Sequence, residues 1–242
     1  GIAYGMGLTA EQVAREWQVS REDQDVFAVE SHRRAVAAIA QGEFRQEILP
    51  TTVVDRLPDH RTMQVQLRER VVEHDEGPRP DSTLSGLALL KPVFAARGSI
   101  TAGNSSQMSD GAGAVMLMSE RMVKALNLKP LARFVSYAVA GVPAQIMGIG
   151  PIAAIPKALE RAGLRQKEMD WIELNEAFAA QSLAVIRDLE LDPASVNPLG
   201  GAIALGHPLG ATGAIRTATL VHGLRRRGGR YGIVTMCIGT GM

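Results

Sequence analysis

The amino-acid sequence predicts an α/β protein in which helices cover the faces of a parallel-type sheet. From residue 131 onward, extended and helical patterns alternate as strand, helix, strand, helix, strand, which is typical of this architecture. Extended runs are predicted at 133–142, 171–174 and 231–236, and helices at 152–162, 177–189 and 211–227. Gly163 follows the first of these helices and is expected to end it.

Composition limits the function classes. The 242 residues are 46% apolar and 21% charged, as in ordinary globular proteins, and leave room for one or two domains. A formal net charge of +1 gives no field that favours nucleic acid, and no apolar run reaches membrane-spanning length. The single cysteine excludes an intrachain disulfide and any cysteine-based metal cluster.

The first half of the chain contains several capping signals. Thr9 with Gln12 predicts a helix through residue 18, and Ser20 with Asp23 predicts a longer one that ends at Gly42. Residues 50–92 are expected to form short extended pieces and charged loops. A strand is predicted at 114–118, and Ser119 is expected to cap a short helix.

Three motifs with polar side chains follow or adjoin the predicted strands. His207 lies in a glycine-rich loop before a helix, in Gly-Gly-Ala-Ile-Ala-Leu-Gly-His-Pro. Asn175 opens Asn-Glu-Ala-Phe-Ala, and Cys237 opens Cys-Ile-Gly-Thr-Gly. In α/β proteins ligand sites form at strand ends, and an amide, an imidazole and a thiol suit acid–base chemistry. Alone, the His207 loop is equally well explained as a structural turn.

These motifs, in this order, resemble the thiolase family. The resemblance includes Thr-Ala-Gly-Asn-Ser-Ser at 101–106 and Met-Gly-Ile-Gly-Pro at 147–151, and runs over the whole chain. It implies a layered αβαβα fold and is strongest to the degradative 3-ketoacyl-CoA thiolases. Thiolases carry an acyl-accepting cysteine in an N-terminal portion that this sequence does not contain. The chain is therefore expected to be the later part of a thiolase, ending slightly before the usual last strand.

The resemblance implies a role for each matched position. His207 is the base that activates the nucleophile, Cys237 exchanges the second proton, and Asn175 helps to stabilise the enolate oxygen. The backbone amide of Gly239 belongs to the other oxyanion hole. Four further positions are expected at the acyl or CoA group: Ser106, Met147, Phe178 and Met6.

The family also implies an organisation. Residues 1–107 correspond to the loop domain that covers CoA and contributes to tetramer assembly, 108–130 to the end of the N-terminal core domain, and 131–242 to the C-terminal domain. Expected partners are acyl-CoA and CoA, with a homodimer or homotetramer as the assembly and neither nucleic acid nor a membrane span. CoA is a substrate, so no cofactor or metal is implied. A cytoplasmic location is expected in a bacterium, and organellar targeting stays open because the N-terminus is expected to be missing.

Three alternatives remain beside this interpretation. Gly-Ile-Gly-Pro-Ile-Ala at 148–153 fits a loose dinucleotide fingerprint, with Glu173 downstream, but no strand leads directly into it. An acetoacetyl-CoA thiolase is the second, although Tyr-Gly-Met-Gly at 4–7 has Gly where biosynthetic thiolases usually have His. A silent CoA-binding scaffold is the third. Ile215 departs from the family, which commonly has Arg there, and Arg216 is the expected substitute.

Overall fold

Two helices open the part of the chain that the structure describes, and one of them starts as predicted. A computed structural model describes residues 5–241, so Tyr4 of the Tyr-Gly-Met-Gly motif lies outside the described part. α1 spans Met6–Glu16 and α2 spans Arg21–Ala40. The Ser20 hydroxyl accepts from the Asp23 amide at 3.0 Å, which confirms the predicted cap of α2. The predicted start of α1 at Thr9 is wrong, because that hydroxyl donates back to Met6 O at 2.7 Å from within the helix.

An exposed hairpin follows the helices. β1 (Thr51–Asp59) and β2 (Gln64–Val72) pair antiparallel, with Thr51 opposite Val72. Most side chains on both faces of this hairpin are exposed. A short helix, α3 (Leu84–Ala88), then packs on α2 through the buried Leu87.

Residues 107–142 contain little regular structure. α4 (Glu120–Ala125) begins at the predicted cap, where Ser119 Oγ accepts from the Met122 amide at 3.4 Å. The strand predicted at 114–118 is wrong: these residues make no strand pairing within 5–241. The extended run predicted at 133–142 likewise joins no sheet in the described part of the chain. An apolar run forms a strand only where it finds a pairing edge.

The rest of the chain forms the predicted α/β layers. A 3₁₀ turn (Ala144–Ile149) leads into α5 (Gly150–Ala162), and a second one (Gln166–Glu168) precedes β3 (Trp171–Leu174). Then come α6 (Ala179–Asp188), α7 (Ala202–Leu205), α8 (Thr212–Arg227) and β4 (Gly232–Thr235). Gly163 ends α5 at φ +65°, as predicted. Since a 3₁₀ turn and not a strand precedes Gly150, the dinucleotide-fold alternative loses its structural context.

β3 lies at the centre of the packing. It pairs in parallel with β4, and Ile172 also bridges to Val196. Ile172 and Leu174 point into a core shared with α5 and α6, whereas Trp171 packs on the other side against α8 and the end of α2. Burying one such side chain contributes roughly 1.5–3 kcal/mol. Helices on both faces of a parallel pair confirm the α/β prediction.

Candidate active site

His207 lies between two helices and is held on both sides of its ring. Gly206, at φ +93°, turns the chain out of α7, and α8 begins at Thr212. The Nδ1 atom lies 2.7 Å from Thr212 Oγ1, and Nε2 lies 3.3 Å from Asn175 Nδ2. The sequence places Asn175 and His207 far apart, and the fold brings them into direct contact.

Asn175 follows β3 directly and is 1% exposed. Its backbone amide donates to Thr235 O at 3.0 Å, and its backbone carbonyl accepts from Gln181 Nε2 at 3.2 Å. The side-chain Oδ1 is buried and has no hydrogen-bond partner within residues 5–241. Buried polar atoms are nearly always satisfied, so the unpaired Oδ1 beside a histidine makes this position the candidate site.

Cys237 reaches the same edge of the sheet from β4. Because Leu174 lies opposite Thr235 in the parallel pair, Asn175 and Cys237 both leave the sheet at its carboxyl end. The cysteine is 9% exposed, and burial raises the pKa of its thiol to about 11. At neutral pH it is therefore a protonated thiol. Such a group is a poor nucleophile, because the thiolate is the reactive form, but it has a proton to donate.

Gly239 lies in the turn after Cys237. A Cβ at this position would meet no atom within 4 Å, so the residue faces open space. Its amide donates no hydrogen bond to any other described residue. The next two residues, Thr240 and Gly241, have φ of +76° and +105°. Gly241 O accepts from the Val142 amide at 2.7 Å, which holds the end of the turn in place.

Ser106 and Phe178 lie on neighbouring backbone. The Ser106 amide donates to Ala177 O at 2.9 Å, and Ser105 forms a β-bridge with Phe178. Phe178 makes an edge-to-face contact with Phe94, at 6.1 Å between ring centroids. Phe94 was not predicted from the sequence, although an aromatic residue in a charged, proline-containing loop could have indicated such a packing contact.

Met147 and Met6 lie in segments that pack on each other, but they differ in exposure. Met147, in the 3₁₀ turn, is 6% exposed, whereas Met6, at the start of α1, is 40% exposed. The 3₁₀ turn contacts both α1 and α6. The expected contact of Met147 and Met6 with the acyl or CoA group stays a prediction.

A buried carboxylate fixes the two motif loops to each other. Glu176 accepts from Ser31 Oγ at 2.7 Å, from Asn197 Nδ2 at 2.8 Å and from the Ile203 amide at 3.2 Å. A Cβ on Gly201 would lie 2.0 Å from the Glu176 carboxyl carbon, so there is no room for a side chain at this position. Glu176 thus joins the Asn175 loop, α2 and the loop before His207.

Arg216 is a buried cation close to the site. It is 3% exposed and its guanidinium lies 3.4 Å from Glu173 Oε2 and 3.3 Å from Gly200 O. Burial raises the pKa of Glu173, and Arg216 acts against this effect. Burial also lowers the pKa of His207 from its ordinary 6.5, and the charge of Arg216 lowers it further. His207 is therefore neutral at neutral pH and suited to accept a proton.

The arrangement brings together a neutral imidazole, an unpaired amide oxygen and, at the same sheet edge, a protonated thiol. Sequence reasoning missed two side chains that hold them, Thr212 and Gln181. Thr212 lies five residues after His207, a spacing that gives no signal before the loop geometry is known. Within residues 5–241, no group of three or more His, Cys, Asp and Glu side chains is arranged to hold a metal ion. No helix there is long and apolar enough to cross a membrane.

Both halves of the chain match one family. Residues 2–121 match the thiolase N-terminal domain, and residues 128–242 match the thiolase C-terminal domain. The change from one to the other falls within the 108–130 segment predicted as the end of the N-terminal core domain. The three-part division itself stays a prediction.

Curated relatives are similar along nearly the whole chain. A 3-ketoacyl-CoA thiolase of Bacillus subtilis is 54% identical over 239 residues, which are 98% of this chain and 60% of that protein. The peroxisomal 3-ketoacyl-CoA thiolase B of Rattus norvegicus is 52% identical over 240 residues, 98% of this chain and 55% of that protein. The chain therefore spans little more than half the length of these relatives.

Solved structures share the fold. The Bacillus anthracis acetyl-CoA acetyltransferase superposes with a TM-score of 0.92 at 46% identity, and human mitochondrial 3-ketoacyl-CoA thiolase in complex with CoA with 0.91 at 47%. In both cases the match covers 98% of this chain and 57% of the other. This similarity confirms the thiolase-like fold predicted from the motifs. With both domains matched in order, the chain belongs to the thiolase family.

Proposed function

We propose that these residues carry the acid–base half of an acyltransferase that cleaves a 3-ketoacyl-CoA with CoA. The products are acetyl-CoA and an acyl-CoA shortened by two carbons. The observation that carries this proposal is the contact between His207 and Asn175 at the sheet edge where Cys237 also emerges. The similarity to 3-ketoacyl-CoA thiolases supports it.

The first half-reaction needs a thiol nucleophile that is not Cys237. In the proposed mechanism a cysteine outside these 242 residues gives its proton to His207 and attacks the 3-keto carbon. The carbon–carbon bond then breaks and leaves acetyl-CoA as its enolate. The Cys237 thiol protonates the enolate carbon, while His207 and a water held by Asn175 stabilise the enolate oxygen. The raised pKa of Cys237 suits this donor role.

The second half-reaction reverses the proton transfers. The Cys237 thiolate takes the thiol proton of an incoming CoA, which attacks the acyl group on the nucleophilic cysteine. The Gly239 amide, which has no other partner among the described residues, stabilises the oxyanion that forms. The nucleophile leaves as a thiolate and recovers its proton from His207. One oxyanion-hole donor is typically worth about a hundredfold or more in rate.

The substrate, assembly and location are part of the proposal. We favour degradative over acetoacetyl-CoA-specific chemistry because the curated relatives at 54% and 52% identity carry the 3-ketoacyl-CoA name. Binding of CoA is supported by the CoA complex of the human mitochondrial relative. We also propose a homodimer or homotetramer, and a cytoplasmic location if the source is bacterial.

Acyl trapping tests this function. Labelled acetyl-CoA is incubated with the 242-residue chain and with the longer thiolase that contains it, and the label is then mapped by peptide mass. We expect label only in the longer protein, on a cysteine outside these residues. Its Cys237→Ser variant should carry label on the same cysteine but acquire it more slowly, because Cys237 protonates the departing CoA. Label on Cys237 would contradict its role as a proton donor. CoA binding without any label in either protein would favour the silent scaffold.

A further inference from the structure

The side of the His207 ring that faces α8 is in contact with one hydroxyl group. Thr212 Oγ1 lies 2.7 Å from Nδ1 and 3.1 Å from Pro208 O. A hydroxyl has one proton to donate, whereas a carbonyl oxygen only accepts. With the Thr212 proton directed to Pro208 O, its oxygen presents lone pairs to the imidazole. Nδ1 must then carry the proton of that hydrogen bond.

The opposite side of the ring is consistent with the same assignment. Nε2 lies 3.3 Å from Asn175 Nδ2, and an amide nitrogen only donates. Nε2 therefore accepts this hydrogen bond through its one lone pair and carries no proton. Two contacts on opposite edges of the ring, one with a threonine and one with an asparagine, favour the same tautomer.

We propose that Thr212 is a positioning residue that keeps neutral His207 in the Nδ1–H form, so that the basic Nε2 faces the reacting groups. The partner of one ring nitrogen decides which nitrogen carries the proton. A general base that presents a protonated nitrogen to its nucleophile cannot accept a second proton there. The catalytic consequence rests on the proposed function, whereas the tautomer itself does not.

The chain contains a matched control for Thr212. Thr217, on the same helix, donates its hydroxyl to Gly213 O at 2.7 Å, four residues back, just as Thr212 donates to Pro208 O. Thr217 has no contact with His207 among the hydrogen bonds of the described residues. Thr217→Val removes the same kind of bond and leaves the imidazole alone, while Thr212→Ser keeps the hydroxyl.

Long-range proton–nitrogen NMR of ¹⁵N-histidine-labelled protein, at about pH 8, reads the tautomer directly because an ordinary histidine is then neutral. The His207 signal, one of five histidine signals, is assigned by its loss in His207→Gln. We expect the proton on Nδ1 in the wild type, Thr212→Ser and Thr217→Val, and a shift toward Nε2–H in Thr212→Val. A wild-type His207 protonated on Nε2 would overturn the proposal without any variant. An unchanged tautomer in Thr212→Val would do the same.

Thiolysis by the complete enzyme provides the second measurement. We expect Thr212→Val to lower kcat/KM about 10- to 100-fold, Thr212→Ser to stay within about threefold, and Thr217→Val to match the wild type. If Thr212→Val changes the tautomer but not the rate, the positioning role is wrong. If the tautomer results hold and the wild type shows no thiolysis, the proposed function fails while the assignment stands.

Discussion

The block formed by β3, α6 and α8 and the run of residues 107–142 use apolar side chains in opposite ways. In the block, Trp171 and Leu174 are each 1% exposed, and β3 pairs on both of its edges. In the run, Leu117 is 83% and Phe134 71% exposed, and no strand pairing forms within the described residues. His207 and Asn175 both lie on the block. The proposed catalytic pair is thus held by packing that this chain supplies itself, whereas large apolar side chains of the run are exposed to solvent.

The largest effect is expected at the buried ion pair of the block. Arg216→Met leaves Glu173 buried without its countercharge, which should cost about 3–5 kcal/mol in the free energy of unfolding. Adding Glu173→Gln should recover most of that loss. Chemical denaturation measures the free energy of unfolding of both variants. Arg225→Met, at an exposed position of the same helix, is the control and should change this free energy by no more than about 0.5 kcal/mol. A cost for Arg216→Met no greater than the control would mean that the pair does not stabilise the block.

Truncating one large apolar side chain to alanine in the block and one in the run should give the next largest difference in the free energy of unfolding. Leu174→Ala should cost about 2–5 kcal/mol because it opens a cavity between α5 and α6. Phe134→Ala in the 242-residue chain should stay within about 0.5 kcal/mol, since the ring is mostly in solvent. Comparable losses, measured by denaturation of this chain, would show that the run is packed after all.

The smallest effect concerns Glu47, a carboxylate between the end of α2 and α8. Its Oε1 accepts from Thr219 Oγ1 at 3.0 Å, Oε2 is buried without a partner in the described structure, and burial raises the pKa to about 7. The folded state thus keeps a proton that the unfolded state releases above its ordinary pKa of 4.5. Stability should fall as pH rises through this window.

Glu47→Gln should remove that slope and gain about 1–2 kcal/mol at alkaline pH, measured by denaturation at several pH values. Parallel curves for the two proteins would contradict the shift.

Much of the block was predictable from sequence because its signals are local. The strand at 171–174 is a short apolar run bounded by polar residues, and the caps at Ser20 and Ser119 depend on contacts three residues away. The strand at 114–118 was wrong for the opposite reason: its composition suits a strand, but a strand requires a partner that local sequence cannot provide.

The site was predictable only in part. Motif resemblance gave the candidate residues, but the contact between Asn175 and His207 spans 32 positions and the Glu173–Arg216 pair spans 43. Such contacts depend on how β3, α7 and α8 pack, and the periodicity of apolar residues in the sequence does not predict them. The departure at Ile215 is an example. Arg216, one residue further along α8, points into the block toward Glu173, while Ile215 packs against Gly111 and Gly113.

Thiolysis by the complete enzyme after His207→Ala tests the central claim most directly. We predict that the rate falls by at least about a hundredfold while the affinity for CoA changes little, because the variant removes the base and not the binding surface. His222→Ala, the same substitution on α8 away from the site, should behave as the wild type. Thiolysis by His207→Ala at the rate of His222→Ala would contradict the account.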